Sequence, residues 1–409
     1  MRILQSTLLL LAALPLAAQQ YDLLIQGGRV IDPANEIDAV MDVAVSGEAI
    51  ARVAKDIPVD QAKKVIDASG AIVTPGLIDL HAHVYGYPGS IFPDDTALYA
   101  GTTTVVDCGG AGWRTFEEFK ETVIDRVQTR VLAFINIVGH GMIGNPYESD
   151  VSDMDSEKTA AKMAEHPDLI VGIKTAHFGG KGWSAIDAAI GAGELSSKPV
   201  IIDDKIFTNT GRHSREKLLE KMRPGDMHTH TFNDRQVEIV SRFTGKVQPY
   251  VWEARKRGVL FDLGHGGGSF MWPVATSAAA DGFYPDTIST DLHTSSIMGP
   301  KPDMPNCITK MVALGMDLPE AIKRSTVAPA KAIGKFPEIG TLGEGKEADI
   351  AVFRIEEGVF ALMDAWRKKM SATQRLAPIL TVRAGKLVVD IEGLGFPLWQ
   401  EAGDYVRIP

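Results

Sequence analysis

Between residues 73 and 340 the chain alternates short apolar runs with stretches whose apolar positions recur at helical spacing. The runs are AIVTPGLIDLHAH, GTTTVVDCGG, RVLAFINIVGH, LIVGIKTAH, KPVIIDD, DMHTHTF, GVLFDLGHG and DTISTDLH. Helix-period segments such as FEEFKETVIDRVQ, SEKTAAKMAEH and REKLLEKM fall between many of them. Apolar runs separated by amphipathic helices predict parallel strands covered on the outside. Eight of them predict an α/β fold, a (β/α)8 TIM-like barrel. A doubly wound open sheet is the alternative, but it lacks support from any Gly-rich nucleotide fingerprint.

The flanks have another texture. YDLLIQGGRVID, MDVAVSGEAIARVA and KKVIDASG read as short strands broken by Gly, Asp or Pro, and ADIAVFRI and ILTVRAGKLVVD resume that texture near the C-terminus. The first residues, MRILQSTLLLLAALPLAAQQ, join a basic start at Arg2 to an apolar stretch and the small residues Ala17 and Ala18. That is signal-peptide anatomy over 1–18, and it predicts cleavage near Ala18 and export, most simply to a bacterial periplasm. No later apolar run is long enough to span a bilayer, so no membrane association is expected after cleavage. The formal charge of −10 argues against a nucleic-acid partner. Cys108 and Cys307 are expected as two separate thiols rather than a disulfide.

Two glycine motifs do not carry chemistry. GTLGEGKE at 340–347 places Glu347 where a phosphate loop needs Ser or Thr. GHGGGS at 264–269 resembles an oxyanion segment, yet no G-x-S-x-G elbow accompanies it.

The histidines carry more. His81, His83, His140, His177, His230, His265 and His293 all fall at or just past the C-terminal end of an expected strand. In a barrel those ends converge on one face. His81 and His83 are two apart, so a strand turns both to one side, where they can share an ion. Lys174 ends the fourth run. If burial leaves its amine neutral, it can add carbon dioxide and become a carbamate that bridges two metals; otherwise it reaches out to solvent. His230 ends the sixth run, with His228 deeper on the same face and expected to hydrogen-bond in the core. Asp291 ends the eighth and suits both a metal and the proton of an attacking water. The Gly266–Gly267 stretch beside His265 suits a nest for a substrate carboxylate, with His293 nearby. Tyr85, Tyr87 and Trp113 are candidate pocket walls.

PGLIDLHAH, VGIK, GDMHTHTFN, GHGGGSF, DTISTDLH and GTLGEGKEADIAVF together resemble the amidohydrolase superfamily, in its dihydroorotase-like branch whose members are called deacetylases. The resemblance implies a β-sandwich made from both chain ends, dividing the chain into 19–72, a barrel over 73–340, and 341–409. It further implies one or two divalent metal ions, zinc being expected, with His81, His83 and Asp291 on one, carbamylated Lys174 as the bridge, and His230 on the other. The fifth strand departs from the pattern: Asp203 aligns with a histidine ligand, and Asp204 and Lys205 follow it. Asp203 is expected to replace that ligand, lowering the net charge of the centre. The implied activity is hydrolysis of an amide or ester of a small acylated acid by metal-activated hydroxide, with Asp291 moving the proton. A cyclic-amide hydrolase or deaminase on the same scaffold, or a metal-poor non-catalytic relative, remains open, as does a homo-oligomer.

Overall fold

The structure, a computed structural model, describes residues 19–204, 214–233 and 239–403. The expected signal peptide, Lys205 and residues 404–409 lie outside them. The chain opens with β1 (Tyr21–Asp32), β2 (Ile37–Ser46), β3 (Ala49–Ala54), β4 (Ala62–Asp67) and β5 (Ile72–Pro75). There follow β6 (Leu77–Ala82), β7 (Thr102–Gly112), β8 (Arg130–Asn136), β9 (Ile170–Ala176), β10 (Val200–Asp203), β11 (Met227–His228) and β12 (Leu260–Phe261). It ends with β13 (Ile350–Met363), β14 (Lys369–Arg383) and β15 (Lys386–Asp390).

Strands β6 to β12 pair in parallel, each beside its neighbour in sequence. The eighth run closes the ring without forming a longer strand. Thr287 bridges Asp262 and Leu292 bridges Ala82, both in parallel. Asp291 N donates to His81 O at 2.6 Å, and Gly266 N to Thr290 O at 2.8 Å. Regular pairing stops early here because His230, Gly264 and Asp291 have φ of 59°, 46° and 50°, which turn the backbone out of the extended region. Inside the ring, Leu80, Val106, Leu132, Phe134, Ile201 and Met227 pack together as a plug. Outside it, helical residues such as Phe116, Phe119, Ile186 and Leu218 share a core with the outward faces of the strands.

The remaining strands make one mixed sheet from both chain ends, ordered β15-β14-β13-β5-β1-β2-β3, with β4 beside β1. They enclose their own apolar core, including Ile25, Val45, Ile66, Val352 and Leu380. The boundary expected between 72 and 73 moves: β5 pairs with β1 and β13 and belongs to this sheet. Gly76 divides what reads as one apolar run, because a Cβ there would collide with the Thr103 side chain where the two sheets meet. An ionic cluster ties the units together: Arg130 contacts Asp349 at 2.8 Å and Glu347 at 2.6 Å, and Arg383 contacts both carboxylates. Glu347, the residue that spoils the phosphate-loop pattern, has this structural role. Both cysteines are buried free thiols.

Candidate metal centre

Five strand tips deliver six side chains to one cavity of about 300 Å³ at the C-terminal face of the barrel. His81 and His83 come from the end of β6, Lys174 from β9, Asp203 from the last position of β10, His230 from just past β11, and Asp291 from the closing run. All six are buried. His81, His83 and Asp291 offer ligand atoms that lie within 4.8 Å of one another. Asp291 Oδ1 is 2.9 Å from His83 Nε2 and 3.5 Å from His81 Nε2. Lys174 Nζ stands 3.3 Å from His81 Nε2. Across the cavity, Asp203 Oδ2 is 3.3 Å from both His230 Nε2 and His177 Nε2.

The hydrogen bonds behind the rings decide which nitrogens face the centre. Thr229 Oγ1 donates to Asp262 Oδ2 at 2.7 Å, so it can only accept from His81 Nδ1, 2.9 Å away. His230 Nδ1 lies 2.6 Å from Gly264 O, which also only accepts. In the neutral form each ring carries its proton at the back and turns the Nε2 lone pair toward a carboxylate. Two acceptors facing each other in a buried site suit a cation held between them. Atoms bound tetrahedrally to one zinc at the usual lengths stand about 3.4 Å apart, close to the separations seen here. The donor set fits divalent ions.

A family model described as the amidohydrolase family matches residues 272–388. A deacetylase of Enterococcus faecalis is 29% identical over 374 residues, covering 90% of this chain and 99% of that protein. Among solved structures, an adenine deaminase matches with a TM-score of 0.84 at 29% identity, over 90% of this chain and 100% of that one. A dihydroorotase matches with a TM-score of 0.78 at 26% identity, over 90% and 99%. The chain is similar to the amidohydrolase superfamily in sequence and in fold. It is a metal-dependent amidohydrolase acting on C–N bonds.

Within this amidohydrolase, charges at the cavity are strongly coupled. Burial works to raise Asp291, but contact with His83 and the nearby His81 and His230 outweigh it and hold the carboxyl far below its usual range. Asp203 follows the same balance, with His230 and His177 outweighing burial. Burial, then the Lys174 charge, pushes His81 down to about 4. Burial opposes the charge of Lys174, but Cys108, then Asp203 and Asp291, outweigh burial and hold the ion-free ammonium above the ordinary lysine value. None of these neighbours is evident from the VGIK run alone.

Other expected site residues separate into two groups. Gly267 and His293 line the cavity, and Tyr87 stacks on His83 with ring centroids 4.4 Å apart. His265 does not reach it. Its Nδ1 donates to Gly266 O at 2.9 Å, its Nε2 meets Lys310 Nζ at 2.6 Å, and its ring stacks on Phe270. Gly266 forms no nest, because its N–H is spent on Thr290 in closing the barrel. Its role is space: φ is 51°, and a Cβ would collide with Asp291 Oδ2. Tyr85 turns away to stack on Phe119, Trp113 lies under Arg114 and Lys158, and His140 pairs with Asp153. His228 is buried against Arg215 at 2.8 Å, in keeping with its expected core role.

Three residues escaped the sequence reading as part of the centre. His177 was visible as a strand-tip histidine but had no partner assigned. Asp262, in GVLFDLGHG, is buried and accepts from Thr229, Thr287 and Ser289 behind His81. Glu148 stands in a loop after β8 and holds His177 Nδ1 at 3.0 Å. No local pattern marks either carboxylate.

Proposed function

We propose that this amidohydrolase is an exported, deacetylase-like enzyme that cleaves the amide or ester bond of a small acylated acid, such as an N-acetyl amino acid or an O-acetyl 2-hydroxy acid. The observation that carries the reading is the convergence of His81, His83 and Asp291 on one side of Lys174 and of Asp203 and His230 on the other. His81, His83 and Asp291 hold one divalent ion, Asp203 and His230 belong to a second, and Lys174 as a carbamate bridges them. Zinc suits this mixture of imidazole and carboxylate donors. Such ions polarise a carbonyl and acidify water. Lys174 adds carbon dioxide through its neutral amine, with loss of one proton; positive charge beside Asp203 and Asp291 favours that neutral form.

Asp291 lies against the first set and faces the cavity, placed to take a proton from the attacking water and return it to the leaving amine or alkoxide. Tyr87, stacked on His83, and His293 with its Ser295 partner wall the substrate side. Gly267, Gly268 and Ser269 line the cavity beside them. The relative from Enterococcus faecalis bears the name deacetylase over its whole length, which supports acyl removal over ring opening. Export rests on the composition of residues 1–18.

The test is a panel of N-acetyl amino acids, O-acetyl 2-hydroxy acids, cyclic amides and aminopurines, offered to zinc-loaded enzyme and scored for acetate and ammonia. Acetate release is expected. Ammonia without acetate would overturn the deacetylase reading in favour of deamination, and turnover of cyclic amides alone would point to ring opening.

A further inference from the structure

His177 holds a position for which nothing above accounts. It lies just past β9, with φ of 57°, the same left-handed conformation as His230 and Asp291 at two other tips. A non-glycine residue keeps that strained conformation only where its surroundings fix it, and such residues gather at functional sites. What fixes His177 is Glu148. The Glu148 carboxylate is buried, takes Gly144 N–H on Oε1 at 3.0 Å and contacts His177 Nδ1 through Oε2 at 3.0 Å. Nε2 is thereby turned to the cavity, 3.3 Å from Asp203 Oδ2.

His230 has the same arrangement: Nδ1 tied at the back, Nε2 at 3.3 Å from the same Asp203 oxygen. A charge-assisted imidazole–carboxylate hydrogen bond would draw in to about 2.7–2.9 Å. Both contacts are longer, and they match the edge of a coordination tetrahedron. A buried carboxylate behind a histidine is also the usual support of a metal-ligating ring.

We propose that His177 is a ligand of the second divalent ion, completing with Asp203 and His230 a His–Asp–His set, and that Glu148 orients it. The aspartate at the tip of β10 is then compensated by an imidazole from the tip of β9. This rests on the two-ion reading above. The two sets differ in readiness. The ligand atoms of His81, His83 and Asp291 are already gathered, whereas those of His177 and His230 are joined through Asp203, so the second ion binds after the first and more weakly.

Chelator-stripped enzyme titrated with Co²⁺ alone tests this, read by metal counting and by the visible absorption of the bound ion. Wild type should take up two ions in two steps. His177→Gln should keep the first and lose the second with its absorption. Glu148→Gln retains the imidazole and loosens only its orientation; it should weaken the second step by about 10–100-fold. The double variant Asp203→His/His177→Gln should recover the second step. Two ions with unchanged absorption in both His177→Gln and Glu148→Gln would overturn the role of His177. So would a wild type that binds one ion. A wild type that binds none would instead overturn the metal-centre reading itself.

Discussion

Asp262→Asn isolates the hydrogen-bond logic of the centre, because it alters a residue that touches neither the cavity nor an ion. Asp262 Oδ1 accepts from Thr287 Oγ1 at 2.8 Å and Ser289 Oγ at 2.7 Å, and Oδ2 accepts from Thr229 Oγ1 at 2.7 Å and faces His81 Nδ1 at 3.3 Å. An asparagine keeps its carbonyl oxygen toward Thr287 and Ser289 and so turns its NH2 toward Thr229 and His81. A donor there pushes His81 to accept at Nδ1 and carry its proton on Nε2, the tautomer that cannot ligate. Losing such a support weakens metal binding by about 10–100-fold. That corresponds to about 1.4–2.8 kcal/mol. Competition between the protein and a chromophoric chelator for Zn²⁺ measures the difference, with urea unfolding of the ion-free proteins as the control for folding. If the variant folds and its tighter site binds Zn²⁺ as strongly as wild type, the tautomer argument is wrong.

Three further expectations follow from particular contacts. Gly266→Ala places a methyl against Asp291 Oδ2 at a φ of 51°; kcat should fall by at least about tenfold as Asp291 shifts, with about 1–2 kcal/mol lost in urea unfolding. Arg130→Ala leaves Glu347 and Asp349 to Arg383 alone; the half-buried cluster should lose about 1–3 kcal/mol in urea unfolding with kcat/KM unchanged, since it lies at the end of the barrel away from the cavity. Ion-free protein should lose stability as pH falls from 6.5 toward 4, because the unfolded chain takes up protons that buried His81, held near 4, refuses. His81→Asn should flatten that slope by up to about 1.4 kcal/mol per pH unit, and an unchanged slope between pH 7 and 5 would refute the assignment.

Much of the barrel and half of the centre were legible in the chain itself. Parallel strands buried on both faces leave continuous apolar runs, and several runs ended in a histidine or an aspartate, so His81, His83, His230 and Asp291 stood out by position, whereas Lys174 needed the family resemblance. The AIVTPGLIDL run shows the limit of that reading. Its apolar pattern crosses from one sheet to the next without a break, and only the close approach of Thr103 to Gly76 separates them.

Direction and charge were decided by the tertiary structure. His265 and His177 look equivalent as strand-tip histidines, yet one is satisfied by Gly266 and Lys310 and the other is aimed by Glu148 at Asp203. The charge of Lys174 answers to burial, to Cys108, and to carboxylates 29 and 117 positions further along the chain, Asp203 and Asp291, whose proximity no local pattern encodes. Side-chain type and strand period are local properties that sequence carries. Which nitrogen faces an ion, and what field a buried amine feels, depend on groups that only folding brings within a few ångströms.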